Sequence, residues 1–244
     1  MRLTFNALAL LPVLLLLANS SSPVLDEHTG KKAEAALLTR PLTIATSNSE
    51  ALYQSWNLGA AGLSKDAFDK AYKGYTYLES KNLLSKNNLL TIVDYSKPSS
   101  EKRLFILEMN SGRVLFNTLV AHGRNSGSNY AQDFSNAEAS HKSSLGFYVT
   151  LNTYKGENGY SLKLRGCETG INDKASRRAI VIHGADYVSE NFVRRNGFLG
   201  RSYGCPAIPM EWSKEIIDII KGGSCMFLYY PSKKYLKRSR ILNS

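Results

Sequence analysis

The sequence predicts a mainly β domain with a few helices, an α+β arrangement in which a β-rich unit follows a helical segment. Three observations predict it. Seven short runs rich in Val, Ile, Leu, Phe and Tyr are separated by turn residues, and only two segments carry apolar residues at three- and four-residue steps. The length, 244 residues, is enough for one good-sized core.

Met1–Ser20 opens with Arg2, continues as an Ala/Leu/Pro/Val run and ends in the small residues Ala18-Asn19-Ser20, the form of a secretory signal peptide. The apolar stretch Ala7–Ala18 is short for a bilayer span, and no cysteine follows it to carry a lipid. The expectation is an exported protein, periplasmic or in the cell envelope, with no transmembrane anchor after signal cleavage. Residues 21–50 mix Ser, Thr, Lys and Ala without periodicity and read as a linker, with His28 given no local role.

Residues 51–86 read as a helical preface. Ala67, Phe68, Ala71, Tyr72, Tyr75 and Leu78 recur at helical steps behind Ser64, a cap residue, so a helix is predicted to about Lys81. Its aromatic stripe is read as core packing rather than as a substrate groove.

Residues 87–232 hold the predicted strands: Leu89–Asp94, Arg103–Met109, Val114–Ala121, Gly146–Thr150, Ser161–Leu164, Ala179–His183 and Ser224–Tyr230. Asn110-Ser111-Gly112 suggests a hairpin between the second and third. A later helix, Trp212–Lys221, is bounded by Pro209 and Gly222-Gly223. Residues 233–244, with Lys233, Lys234, Lys237, Arg238 and Arg240, read as a solvated basic tail.

The net charge of +11 suits contact with anionic wall polymers, lipid headgroups or peptide carboxylates. Nucleic acid is set aside, because the leader directs the chain out of the cytoplasm and no nucleic-acid module is recognisable. Three cysteines, Cys167, Cys205 and Cys225, leave open one disulfide and one free thiol; Cys225, inside SCMFLYY, reads as a small buried residue.

The chemistry centres on Ala179–Pro209. An apolar run, predicted as a buried strand, delivers His183 at its carboxyl end, and Ser202-Tyr203-Gly204-Cys205-Pro206 forms a turn. A free thiol has a pKa of about 8.5, so an adjacent imidazole is the usual way to activate it. Cys205 is therefore read as nucleophile and His183 as its base. Gly204 permits positive φ before the cysteine, and Pro206 brings no N–H, so oxyanion donors come from the amides of Tyr203, Gly204 or Cys205. Ser202, Asp186 and a backbone carbonyl all remain open as the group that orients His183.

HG, a spacer and SxGC resemble the signature of the murein L,D-transpeptidase catalytic domain family, the YkuD-like cysteine transpeptidases, in the branch with an SxGCP motif. LVAHGRNSG (Leu119–Gly127), FSN (Phe134–Asn136), SSLGFYVT (Ser143–Thr150), the IVIHGA run and GRSYGCPAIP extend the resemblance over roughly Leu89–Tyr230. By that resemblance the catalytic positions are Cys205, His183, Ser202 and Gly204, and the fold is the family's β-rich one. Tyr203 stands where better-studied members carry a second histidine, and Pro206-Ala207-Ile208 where they carry an arginine; both differences bear on substrate pose and acyl acceptor.

The function implied is an exported peptidoglycan L,D-transpeptidase that forms a cysteine thioester with stem peptides, without cofactor or metal. Alternatives are an L,D-carboxypeptidase with the same Cys/His site, a degenerate wall-binding domain, and a cysteine protease acting on ordinary L-peptides. Arg201, Tyr203 and His122 are candidate substrate-binding residues, with Arg194 and Arg195 as further carboxylate ligands. His122, His141 and His183 form no metal motif, since no HExxH or close-spaced ligand pair exists. Ser99-Ser100-Glu101-Lys102 matches SxxK without its SDN and KTG partners and is set aside.

Overall fold

The computed structural model describes residues 48–244; the predicted leader, most of the predicted linker and His28 lie outside the described residues. A helical stretch at residues 48–55 (α1) is followed by α2 (Lys65–Ser80), β1 (Leu89–Asp94), β2 (Leu104–Glu108), β3 (Val114–Thr118), β4 (Gly146–Gly156), β5 (Gly159–Gly166) and β6 (Val181–Ala185). Then come α3 (Glu190–Asn196), β7 (Ala207–Pro209), α4 (Met210–Ile220), β8 (Cys225–Tyr229) and α5 (Lys233–Arg238). Among the described residues no helix is long and apolar enough to cross a membrane.

Among the described residues, eight strands form one sheet in the order β3-β2-β1-β8-β4-β5-β6-β7. β1 and β8 pair in parallel at its centre, as do β6 and β7 at one edge, while the other pairs are antiparallel. Every residue of LLTIVD and CMFLY is buried, which is why these two strands read as unbroken apolar runs. The continuation of β3 bridges the far edge through Ala121 and Ala207, with Ala121 N–H donating to Ala207 O at 2.8 Å, so the two edges meet. Gly123 bridges Ser202 in the same region, beside the cysteine turn.

The helical preface packs into the sheet's own core. Ser64 caps α2 by accepting Ala67 N–H at 3.3 Å and donates to the buried Asp94 at 2.7 Å, so the cap also ties the helix to the end of β1. Gly74 lies over the ring of Phe147: a Cβ there would sit 1.9 Å from the nearest ring carbon. The stripe Ala67, Phe68, Ala71, Tyr75 and Leu78 is buried, as core packing requires. On the other side of the sheet's β5–β7 edge, α4 buries Ser213, Ile216, Ile217 and Ile220 at helical steps.

Several elements differ from the sequence expectation: β6 spans Val181–Ala185 instead of Ala179–His183, so His183 sits at its middle and not at its end, and β7 is an additional short strand. β4 and β5 run on into a hairpin whose turn, Glu157-Asn158, is closed by Gly156 opposite Gly159. α3 is capped by Ser189, which accepts Phe192 N–H at 3.2 Å, and ends at Gly197 with φ 82°. The solvated basic tail is corrected: α5 docks on the domain, with Tyr235, Ser239, Ile241 and Leu242 buried. The physical reason is Glu168, a buried carboxylate that accepts from Phe147 N–H at 2.8 Å, from Tyr235 Oη at 3.1 Å and from Ser239 Oγ. The basic side chains of this segment face solvent, as do the terminal Asn243 and Ser244.

Candidate active site

Cys205 is held in a turn braced by its own neighbours. Ser202 Oγ accepts Gly204 N–H at 3.0 Å and donates to Cys205 O at 2.6 Å. Gly204 has φ 126°, and a Cβ there would meet Lys142 O at 2.9 Å, so both conformation and space demand glycine. From beneath, Ser143 Oγ accepts Gly123 N–H at 3.0 Å and donates to Gly204 O at 3.2 Å, while Ser143 N–H donates to Ser126 Oγ at 2.9 Å. Serines from three loops thus fix one turn.

Because Gly204 N–H is committed to Ser202, it is not a free oxyanion donor. Among the described residues, Tyr203 N–H donates to no backbone or side-chain acceptor and Cys205 N–H acts only on its own sulfur, which narrows the expected donors to these two.

His183 lies in β6, level with Ala207 of β7, so that Cys205, two residues earlier, comes level with Val181. The sulfur bears this out: it accepts Val181 N–H at 3.5 Å and donates to Ala179 O at 3.6 Å. His183 is 4% exposed and Cys205 9%. No hydrogen bond joins them, so in this state the thiol is turned along β6 rather than onto the imidazole. His183 Nδ1 lies 2.9 Å from Gly184 O. Among the three candidates for orienting the imidazole, it is thus a backbone carbonyl that contacts the ring; with the proton on Nδ1, Nε2 is left as the basic nitrogen. Burial holds the imidazole below its usual pKa, opposed by the Gly184 contact, and burial pushes the thiol up. A neutral thiol and a neutral imidazole result. A cavity of about 450 Å³ opens over His183, Asp186 and Tyr187 beneath the β4–β5 hairpin; Cys205 is not in its wall.

The remaining predicted site residues have different fates. Tyr203 is 66% exposed, with Arg124 5.0 Å from its ring centroid and the His141 ring 4.6 Å away, forming an aromatic and cationic surface next to the thiol turn. Arg201 is exposed, donates to Gly127 O at 3.2 Å and lies over Phe198. Arg194 and Arg195 are on the exposed side of α3, where Arg194 pairs with Glu190. His122 is corrected as a substrate wall: it is 0% exposed, with Nδ1 2.7 Å from Arg103 Nη2 and Nε2 3.3 Å from Gly127 O. Burial and the Arg103 charge lower its pKa to about 3. Arg103 in turn is wholly buried, donating to Val120 O and Lys97 O over the face of Tyr95. Cys167 and Cys225 are free thiols.

Two residues were not singled out by sequence. Tyr187 packs its ring over Gly200 and interacts electrostatically with Cys205. Arg178 donates to Ser135 O, Ser144 Oγ, Ser140 Oγ and Lys142 O, and its charge acts on Cys205. The double arginine Arg177-Arg178 was the available signal, but solvated arginine pairs are common and nothing in the sequence separates the exposed Arg177 from its half-buried neighbour.

A thiol in a braced turn, next to a strand with a buried imidazole at its middle residue, has the makeup of a cysteine-type acyl-transfer site. The sequence model of the L,D-transpeptidase catalytic domain matches residues 59–229, and the chain belongs to that family. Similar solved structures include an L,D-transpeptidase from Mycobacterium smegmatis (12% identity, 59% of each chain, TM-score 0.37). Others are the helical cell shape determining protein Pgp2 from Campylobacter jejuni (14% identity, 67% of this chain and 55% of that one, TM-score 0.41) and an L,D-transpeptidase from Stackebrandtia nassauensis (13%, 68% of each, TM-score 0.36). The match to the Mycobacterium smegmatis enzyme spans 59% of that chain's length. No curated protein matches.

Proposed function

We propose that this protein is an exported peptidoglycan L,D-transpeptidase that works through a Cys205 thioester. The observation that carries the reading is the braced Ser202–Cys205 turn lying level with the His183 strand, in a chain that belongs to the L,D-transpeptidase catalytic domain family.

Rotation of the Cys205 side chain away from Ala179 O brings the thiol to His183 Nε2, which takes its proton. The thiolate attacks the carbonyl carbon at an L-centre of a stem peptide, and the oxyanion is met by Tyr203 N–H and Cys205 N–H. The C–N bond to the terminal D-amino acid breaks, its amine taking the proton from the imidazolium. A thioester remains. The amine of a second stem attacks that carbonyl and gives its proton to His183; the C–S bond breaks, leaving a cross-link, and the sulfur takes back a proton. Ser202 and Gly204 act on the turn rather than on the substrate. Tyr203, with Arg124 and Arg201, forms the basic, aromatic rim for the donor stem and its carboxylates.

Incubation with a disaccharide tetrapeptide and chromatographic separation of products tests the reading. Cross-linked dimers, lost in Cys205→Ala, are expected. Shortened monomers alone would replace it with the carboxypeptidase reading, in which water takes the place of the amine.

A further inference from the structure

Cys205 has an ionisation problem. Burial pushes its thiol up, the imidazole is not hydrogen-bonded to it, and one long contact from Val181 N–H is the nearest donor. The titratable groups that act on the sulfur are Tyr95 from the end of β1, Tyr187 from the β6–α3 connection and Arg178 from the loop before β6, while His183 lies two residues along β6 from Val181, whose N–H the sulfur accepts. The two phenols are neutral, each pushed up to about 12 with burial as the main cause, and burial keeps the imidazole neutral. The formal charge in this set belongs to Arg178.

Its guanidinium is built in. Nη1 donates to Ser135 O at 2.8 Å and to Ser144 Oγ, and Nη2 donates to Ser140 Oγ at 3.2 Å and to Lys142 O. All four partners are neutral, and among the described residues no carboxylate pairs with it. Arg177, next to it, instead points outward to Glu138 at 3.8 Å. Nη2 of Arg178 lies 3.2 Å from where a Cβ on Gly204 would be, directly against the residue that precedes the nucleophile. A half-buried cation whose charge no neighbouring anion neutralises is screened little and favours negative charge beside it.

We propose that Arg178 is a positioning residue of the site: it fixes the loop at residues 135–144 against the cysteine turn and supplies the positive potential in which the Cys205 thiolate forms. This rests on Cys205 being the nucleophile, but it concerns the thiol itself and is tested without turnover.

The test is site-resolved alkylation of Cys205 in the full protein, followed by peptide mass spectrometry, with neutral iodoacetamide and anionic iodoacetate. The sulfur–carbon bond forms and iodide leaves in both, so only the reagent's charge differs. In wild type the iodoacetate-to-iodoacetamide rate ratio should exceed that of N-acetylcysteine by about threefold or more, because a fixed cation draws in the anion. Arg178→Met should erase that excess and slow iodoacetamide at pH 7 roughly tenfold, one unit of thiol pKa, whereas Arg178→Lys should keep both within about threefold. A role confined to bracing the loop predicts equal effects of Met and Lys on the pH profile, and that outcome overturns the proposal. So does a wild-type ratio no higher than the model thiol's, which needs no variant to fold. Because the assay requires no stem peptide, its failure is distinct from a failure of transpeptidation.

Discussion

Ser202 and Cys205 are joined by a hydrogen bond of 2.6 Å from the serine hydroxyl to the cysteine's carbonyl oxygen, while the same hydroxyl accepts Gly204 N–H at 3.0 Å. One side chain therefore sets the curvature of the turn, removes one amide from the oxyanion donors and leaves the flanking two. The serine of the motif is explained by backbone geometry, not by proton transfer. Ser202→Ala leaves Gly204 N–H and Cys205 O buried without this partner, at a cost of about 1–3 kcal/mol. Thermal unfolding should show that loss, and thioester formation should slow by about 10- to 100-fold even where the protein is fully folded.

Gly204→Ala tests the same turn from the other side. The added methyl meets Lys142 O at 2.9 Å with φ at 126°, and neither backbone segment is free to withdraw. The expected result is a soluble protein with Cys205 still present by mass and no detectable adduct; wild-type rates would show that the turn is not fixed as described.

His183 predicts the acid limb of the reaction. Burial lowers its pKa, so the imidazole remains a free base below pH 6.5, and thioester formation should be sustained to lower pH than an ordinary histidine permits. The pH profile of the adduct-forming rate checks this. An acid limb above pH 6.5 would mean that the imidazole is stabilised as a cation by something in the complex.

His122 predicts how the fold responds to acid. Its folded pKa, lowered to about 3 by burial and by Arg103, lies below the unfolded value near 6.5, so stability is full above pH 6.5 and is lost as pH falls towards 3. The total is on the order of 5 kcal/mol. Urea unfolding at several pH values should show that slope, and His122→Asn should flatten it while lowering stability at pH 7, because Arg103 loses its ring partner.

The C-terminal helix is tested by contrast. Tyr235→Ala removes a buried ring that also bonds Glu168 and should cost about 3–5 kcal/mol, whereas Lys234→Ala, on the exposed face, should stay within about 0.5 kcal/mol. Equal effects in denaturant titrations would mean that the segment does not dock.

What the sequence reveals follows from local physics. β1 and β8 are legible as apolar runs, α2 from its stripe and the Ser64 cap, and the β2–β3 turn from Asn-Ser-Gly, because each signal lies within the element it specifies. α3 has good caps in Ser189 and Gly197 but buries no residue, so no periodicity marks it. The β4–β5 hairpin carries an Asn158-Gly159 signal that is readable in hindsight. His122 misled because a histidine after an apolar strand has the same sequence appearance whether it faces a groove or a buried arginine nineteen positions away. Arg178 and Tyr187 are brought to Cys205 by tertiary contacts, which no local pattern encodes.

The most direct test of the account is the intact mass of the purified protein after brief exposure to disaccharide tetrapeptide, beside Cys205→Ala and His183→Ala. The account predicts a mass increase equal to the substrate less its terminal D-amino acid, reversed by an added amine, absent in Cys205→Ala and strongly slowed in His183→Ala. An unchanged mass with a reduced thiol and no product, or an adduct that survives in Cys205→Ala, would contradict it.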